Sequence, residues 1–426
     1  MAQKGNPANR KLLYLLTAMF SLSYLDRQIL NITLNDIGAE FSLTDLQLGS
    51  LSGIAFAIVY VVFGFPVARL VRPGNRKVIA VAALSFWSTM TALMGIAGSF
   101  VTLLLARIGV GVGEAGCVPP SHSMIIDAFP PEKRASALSF YSAGTNIGIF
   151  LAFLVGGILT AKFGWRIAFL AAGLPGIALA IWIYFKLDEP ASPVASTDRQ
   201  SEKKSYASLA RALLADKSTR HTLIGVALTA MVGLGASAWI ATFLIRVHAL
   251  EIAQVGVYLA VTIGIIGAVG TWLGGVLSDR LGRKNPTWRL KFVAVTIVIA
   301  KPFSILFYLQ DQTMVALVIF VIPAMVGAMF VGPSFSHLYS RFEASSRPMI
   351  TAILMFVINL VGLGLGPTLV GLISDMLAPT EGEGSLRYAL VLLQIAGLWA
   401  AVHFWIAGRA MSDVSARSRK VEALFG

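Results

Sequence analysis

"LDEPASPVASTDRQSEKKSYASLARALLADKSTR", residues 187–220, is the only long polar interval in a chain of 426 residues. The chain as a whole is 56% hydrophobic and 13% charged, with a mean hydropathy of +0.76. Most of it therefore needs a bilayer as solvent. A hydrocarbon core about 30 Å thick takes roughly 20 apolar residues per spanning helix. Runs of that kind occupy 12–33, 46–70, 77–98, 101–127, 136–161 and 167–186 before the polar interval, and 221–246, 253–276, 291–309, 314–338, 349–373 and 387–408 after it. The reading is an all-α integral membrane protein with twelve transmembrane helices in two six-helix bundles related by pseudo-symmetry. Residues 1–186 form the amino-terminal bundle, 187–220 a cytoplasmic linker and 221–426 the carboxyl-terminal bundle. Within the linker, Ser205 to Ala215 suits either a short amphipathic helix on the inner membrane surface or a solvated loop.

The net charge of +13 is informative through its placement. Of the 34 Lys and Arg residues, 26 fall in the tails and loops of one side and 4 on the other. Arg27, Arg69, Arg107 and Lys301 lie inside or at the edges of spans. This asymmetry puts both termini in the cytoplasm of a multi-pass plasma membrane protein, the inner membrane in a bacterium. Because the charge is topogenic, no nucleic-acid partner is expected. The first hydrophobic run is too long for a signal-peptide core and is expected to remain as the first span. A single cysteine, Cys117, excludes an internal disulfide framework.

The two halves echo each other. "ARLVRPGNRK" (68–77) aligns with "GVLSDRLGRK" (275–284) at an offset of 207, while Arg134 matches Arg347 and Asn146 matches Asn359 at 213. Transporters built from repeated halves place their substrate site near the bilayer midplane between the repeats. The loop "GGVLSDRLGRK" (274–284) closely resembles the signature of the major facilitator superfamily. "SYLDRQIL" (23–30), "RIGVGVGEAG" (107–116) and "GWRIAFL" (164–170) are similar to its Spinster-type branch. The resemblance spans essentially the whole chain and implies a fold that alternates between inward-open and outward-open states. In the first-half loop, Arg72 stands where the family has Asp, and Pro73 takes the next basic position; Asp279, Arg280 and Arg283 keep the pattern. The resemblance implies a gate loop at Arg72, Asp279, Arg280 and Arg283, weakened on its first side so that the inward-open state is favoured.

Asp26 and Arg27 are adjacent in an apolar span, so on a helix they point about 100° apart and need partners on other helices. Ser23, Tyr24 and Asn31 continue the polar stripe. Charge at the bilayer midplane costs about 2.5 to 3.5 kcal/mol even on the lenient scale, so the stripe should face a wet cavity. Arg107 and Glu114 stand two turns apart on one face of the fourth span. Through the family fold they join Asp26 and Arg27 as a cluster of two acids and two bases. Asp26 and Glu114 are expected to exchange a proton, leaving Arg27 or Arg107 to hold an anionic head group through its two-pronged fork. A static ion pair locking helices together is the structural alternative.

Further candidates for the cavity lining are His122, Asn146, Trp239, Thr242, Phe243 and Asn359. His122 could extend a proton path or simply sit in a helix interface. Asp127 is expected to partner the basic residues of the "PPEKR" loop. "GVGEAG" (111–116) matches a dinucleotide template but lacks a preceding strand. The pairs Gly109/Gly113, Gly144/Gly148 and Gly362/Gly366 read instead as close helix contacts. The other histidines are scattered along the sequence, and neither a metal nor a cofactor is expected. Lys301, beside Pro302, either snorkels or faces the cavity.

Without a nucleotide-hydrolysing motif, the expected function is proton-coupled secondary transport by alternating access. By resemblance the substrate is an amphipathic anionic lipid, a lysophospholipid or sphingoid phosphate. A small organic anion such as a carboxylate or sugar acid is the alternative, with an intramembrane enzyme or a channel more remote. The expected partners are the substrate, the proton and membrane lipids, and the protein is expected to act as a monomer.

Overall fold

The computed structural model describes residues 7–191, 206–343 and 346–425. Among these the regular elements are all helical. Ten stretches are long and apolar enough to cross a membrane. The last of them, Met349–Met411, contains two passes that meet near Gly382–Gly384, and the first helix, Pro7–Phe41, adds one more. The twelve passes thus match the expected spans. Several run beyond them, the first by two turns at its carboxyl-terminal end, because a helix can continue past the hydrocarbon once its side chains turn polar.

Local chemistry sets the ends and breaks. Thr44 caps the second pass, its hydroxyl accepting from Gln47 N while Gln47 Oε1 accepts from Thr44 N. Ser99 and Thr102 do the same for the fourth. The fourth pass, expected as one helix over 101–127, is two: Phe100–Glu114 and Val118–Ala128. Pro119 and Pro120 cannot supply the amide hydrogens that a continuous helix needs there, so the chain restarts with proline in its first turn. Glu114 is the last residue before the break. Two passes of the second half carry π-helical stretches, Ala260–Ile266 and Ile358–Leu365, a form associated with functional sites.

By packing, the chain divides into two compact units: Met1–Ser201 with Ala238–Gly264, and Glu202–Ser237 with Ile265–Gly426. This division differs from the sequence boundary at 187–220 because the helix Lys217–His248 contributes to both units. In the first unit, Gly157 and Gly256 touch backbone to backbone: a Cβ on Gly157 would lie 2.9 Å from Gly256 Cα. Arg246 donates to Asn35 Oδ1 at 3.0 Å and pairs with Asp45 Oδ1 at 2.8 Å in the same unit.

All three GxxxG pairs read from the sequence are contact surfaces. Gly109 and Gly113 meet Met90 and Trp87, Gly144 and Gly148 meet the first helix at Thr17 to Leu25, and Gly362 and Gly366 meet Ala230 to Gly235. Of the linker, Tyr206–Ala215 is an amphipathic helix whose Leu209 and Leu213 are buried in the core of the second unit. The remainder of the polar interval up to 205 lies largely outside the described residues.

Candidate functional site

The first helix sends Asp26 and Arg27 in different directions, as their spacing requires. Arg27 reaches the fourth pass, where its Nε and Nη2 both lie on Glu114 Oε2, at 2.7 and 2.6 Å. Its guanidinium is held in an aromatic cage, 5.1 Å from the ring centre of Tyr24, 4.7 Å from Phe56 and 5.1 Å from Tyr60. Cation–π contacts of this kind contribute about 0.5 to 2 kcal/mol each, more when dry. Asp26 turns to the third pass and accepts from Thr91 Oγ1 at 3.1 Å. Arg107 lies 4.8 Å from the same Phe56 ring that holds Arg27. Ser23 lies beside Glu114, and Asn31 donates to Gln28 Oε1 at 2.8 Å.

The polar atoms left over define what the cluster can do. Asp26 Oδ1, Glu114 Oε1 and the Nε and Nη1 of Arg107 are buried without hydrogen-bond partners among the described residues. Unmade bonds to buried charged groups are expensive, and they concentrate where a protein does chemistry or binds a ligand. Two acid oxygens can each take a proton, and one guanidinium edge can take an anion. The side chain of Arg27 keeps 11% exposure while that of Glu114 keeps none.

The other expected residues distribute unevenly. Trp239, Thr242 and Phe243 are fully buried in the first unit. Asn146 is half-buried there. Asn359 sits in the second π-helical stretch, where its amide donates to Met355 O of its own helix. His122 packs edge-on against Tyr141, 5.3 Å between ring centres, and lies beyond the helix break from Glu114. Phe56, Tyr60 and Thr91 escaped the sequence reading. The FxxxY spacing of Phe56 and Tyr60, one helical turn apart, was the available signal.

Two expectations about the ends of the passes need correction. Asp127 does not serve the "PPEKR" loop: it pairs with Arg76 at 2.5 Å, while Arg134 donates to the carbonyls of Ile126 and Phe129. The histidines are not all dispersed, because His221 and His403 bring their Nδ1 atoms to 2.8 Å. In the loops expected to form the gate, Arg72, Asp279, Arg280 and Arg283 are exposed. The firm anchor of the first-half loop is Arg76, buried and bonded to Asp127, to Glu189 Oε1 at 2.7 Å and to Pro190 O at 2.7 Å. Glu189 also accepts from the backbone amides of Gly74 and Lys77. Partial burial pushes the Glu189 carboxyl up, but these donors outweigh it and hold it below its ordinary value.

The family model of the Major Facilitator Superfamily matches residues 16–367. The chain belongs to this superfamily. An MFS-type efflux pump of Mycolicibacterium smegmatis is 29% identical over 94% of this chain and 92% of its own length. The crystal structure of a bacterial homolog to the human lysosomal transporter Spinster, in an inward-facing and unoccupied conformation, has a TM-score of 0.85. It shares 28% identity and covers 95% of this chain and 98% of that one. The hexuronate transporter of Bacillus subtilis is 24% identical over 87% and 89% of the two chains. The protein is therefore a multi-pass superfamily transporter of Spinster type rather than an enzyme.

Proposed function

We propose that the protein is a proton-coupled secondary transporter of an organic anion, working by alternating access, with both termini in the cytoplasm. The carrying observation is the unfilled bonding capacity of the buried cluster: two acid oxygens and one arginine edge without partners. In this reading Asp26 and Glu114 exchange the proton, and the Nε and Nη1 of Arg107 grip the anionic group of the substrate. Protonation of Glu114 would release Arg27 from its ion pair, so that proton and substrate compete for the same two arginines.

An amphipathic lipid anion, a lysophospholipid or sphingoid phosphate, is the first reading of the substrate. It is supported by the likeness to the Spinster structure, and by a second half whose spans carry almost no charge beside the charged first half. A small carboxylate or sugar acid is the second reading, favoured by the similarity to a hexuronate transporter. Reconstitution into liposomes with an imposed pH gradient, using both substrate classes, separates them. Uptake that follows the gradient in wild type and vanishes in Arg107→Ala supports the proposal. Equal pH sensitivity of the wild type, Asp26→Asn and Glu114→Gln would refute the proton assignment.

A further inference from the structure

Lys301 stands midway along the helix Trp288–Leu309, inside the second unit. Its Nζ donates to Gln394 Oε1 at 2.8 Å, and it has no acidic partner among the described residues. The Gln394 amide nitrogen is itself committed to Leu390 O. Room for the lysine is made by Gly397, where a Cβ would fall 2.3 Å from Lys301 Cε and 2.7 Å from Nζ. An ammonium group has three hydrogens, and Gln394 takes one.

The same lysine lines a cavity of about 60 Å³ together with Thr229, Thr296, Ser304 and apolar side chains. The hydroxyls of Thr296 and Ser304 donate to the carbonyls of Val293 and Ala300. Thr229 Oγ1 is buried with no partner among the described residues. The donors available at the cavity are thus an ammonium group and one hydroxyl, with no carboxylate to balance them. Such a site has room for one small ion or a few waters and is too small for a lipid head group. A positive charge in the middle of a span is costly unless it is paired or hydrated.

We infer that this cavity binds a small monovalent anion of chloride size, held by Lys301 Nζ and the Thr229 hydroxyl, at a site separate from the Arg27–Glu114 cluster. Thermal unfolding of the full-length protein in detergent, in sodium chloride against sodium gluconate at equal ionic strength, tests it. The midpoint should rise with chloride and saturate in wild type. The rise should disappear in Lys301→Gln, and the chloride concentration needed should increase about tenfold in Thr229→Val, the loss of one hydrogen bond to a charged group. An equal chloride response in Lys301→Gln, or none in wild type, overturns the inference. Should Lys301→Gln fail to fold, crystals of the wild type grown in bromide decide: anomalous density beside Lys301 Nζ supports the site, and its absence overturns it.

Discussion

Arg27 and Arg107 rest against one ring, that of Phe56, with guanidinium carbons 4.7 and 4.8 Å from its centre. Two like charges are thereby held near each other, deep in a membrane domain, by a shared quadrupole and a single carboxylate bonded to one of them. Replacing Phe56 by Leu keeps bulk and removes the quadrupole. The expected loss is about 1 to 2 kcal/mol of arginine placement, read as a roughly 5- to 30-fold fall in proteoliposome uptake with the protein still folded. Unchanged uptake would show that the ring only fills space.

The Arg27–Glu114 pair separates structure from function. Glu114→Gln alone leaves a buried guanidinium uncompensated and should destabilise the protein by about 3 to 5 kcal/mol. Neutralising both partners, Arg27→Met with Glu114→Gln, should recover most of that stability in a thermal unfolding assay, because no stranded charge remains. Transport should stay lost in the double variant. Recovery of proton-driven uptake there would mean the pair is a structural lock and not a coupling device.

Much of this cluster was legible because ionisable side chains are conspicuous in apolar spans: Asp26, Arg27, Arg107 and Glu114 announce themselves. Their aromatic and hydroxyl partners do not. Phe56 and Tyr60 look like any lipid-facing or core residue, and Thr91 is one of many hydroxyls that could back-bond to its own helix. The break after Glu114 was foreshadowed by Pro119 and Pro120, yet hydropathy alone runs through it. The anchor of the first-half loop was hidden for a different reason. Arg72 is the residue that departs from the loop pattern, whereas Arg76 holds the loop through Glu189, a partner 113 positions away in sequence.

That anchor has a predictable pH response. Glu189 titrates below its ordinary value in the folded protein because Arg76 and two backbone amides favour its charged form over the opposing effect of burial. Its contribution is therefore complete above the unfolded carboxyl value of about 4.3 and is lost as pH falls through the lower, folded value. Asp216 follows the same sign: burial raises it, but the amide of Thr219 and the Arg341 guanidinium at 2.7 Å bring it down. Glu189→Gln should lower stability by about 2 kcal/mol at neutral pH and flatten the decline that sets in as pH falls below about 4.3 towards the folded value. Unfolding midpoints across that range check it, and a wild-type and variant pair falling in parallel would contradict it.

Arg246 and Asp45 offer a charge-swap test within the first unit. Their 2.8 Å contact, with Asn35 as a second acceptor, joins the second pass to the segment Ala238–Gly264. Asp45→Arg or Arg246→Asp alone should place like charges together and cut uptake several-fold. The double reversal should restore a good part of it, since the pair is partly solvated and the interaction is mainly electrostatic. Failure of the double variant to exceed either single one would show that the contact does not control transport.

Gly148 carries the closest dependence of the site on packing. A Cβ there would lie 2.2 Å from the carbonyl oxygen of Ser21 and 2.8 Å from Tyr24 Cβ, so even alanine must push the first helix aside. Tyr24 is one wall of the cage around Arg27, and moving it disturbs the ion pair without touching any charged residue. Gly148→Ala should therefore destabilise the protein by about 1 to 3 kcal/mol and reduce uptake together. Gly64→Ala is the control: nothing stands within 4 Å of its Cβ position, and removal of a helical glycine should be neutral or slightly stabilising. If Gly148→Ala behaves like Gly64→Ala in both assays, the seating of the first helix does not set the geometry of Arg27 and Glu114.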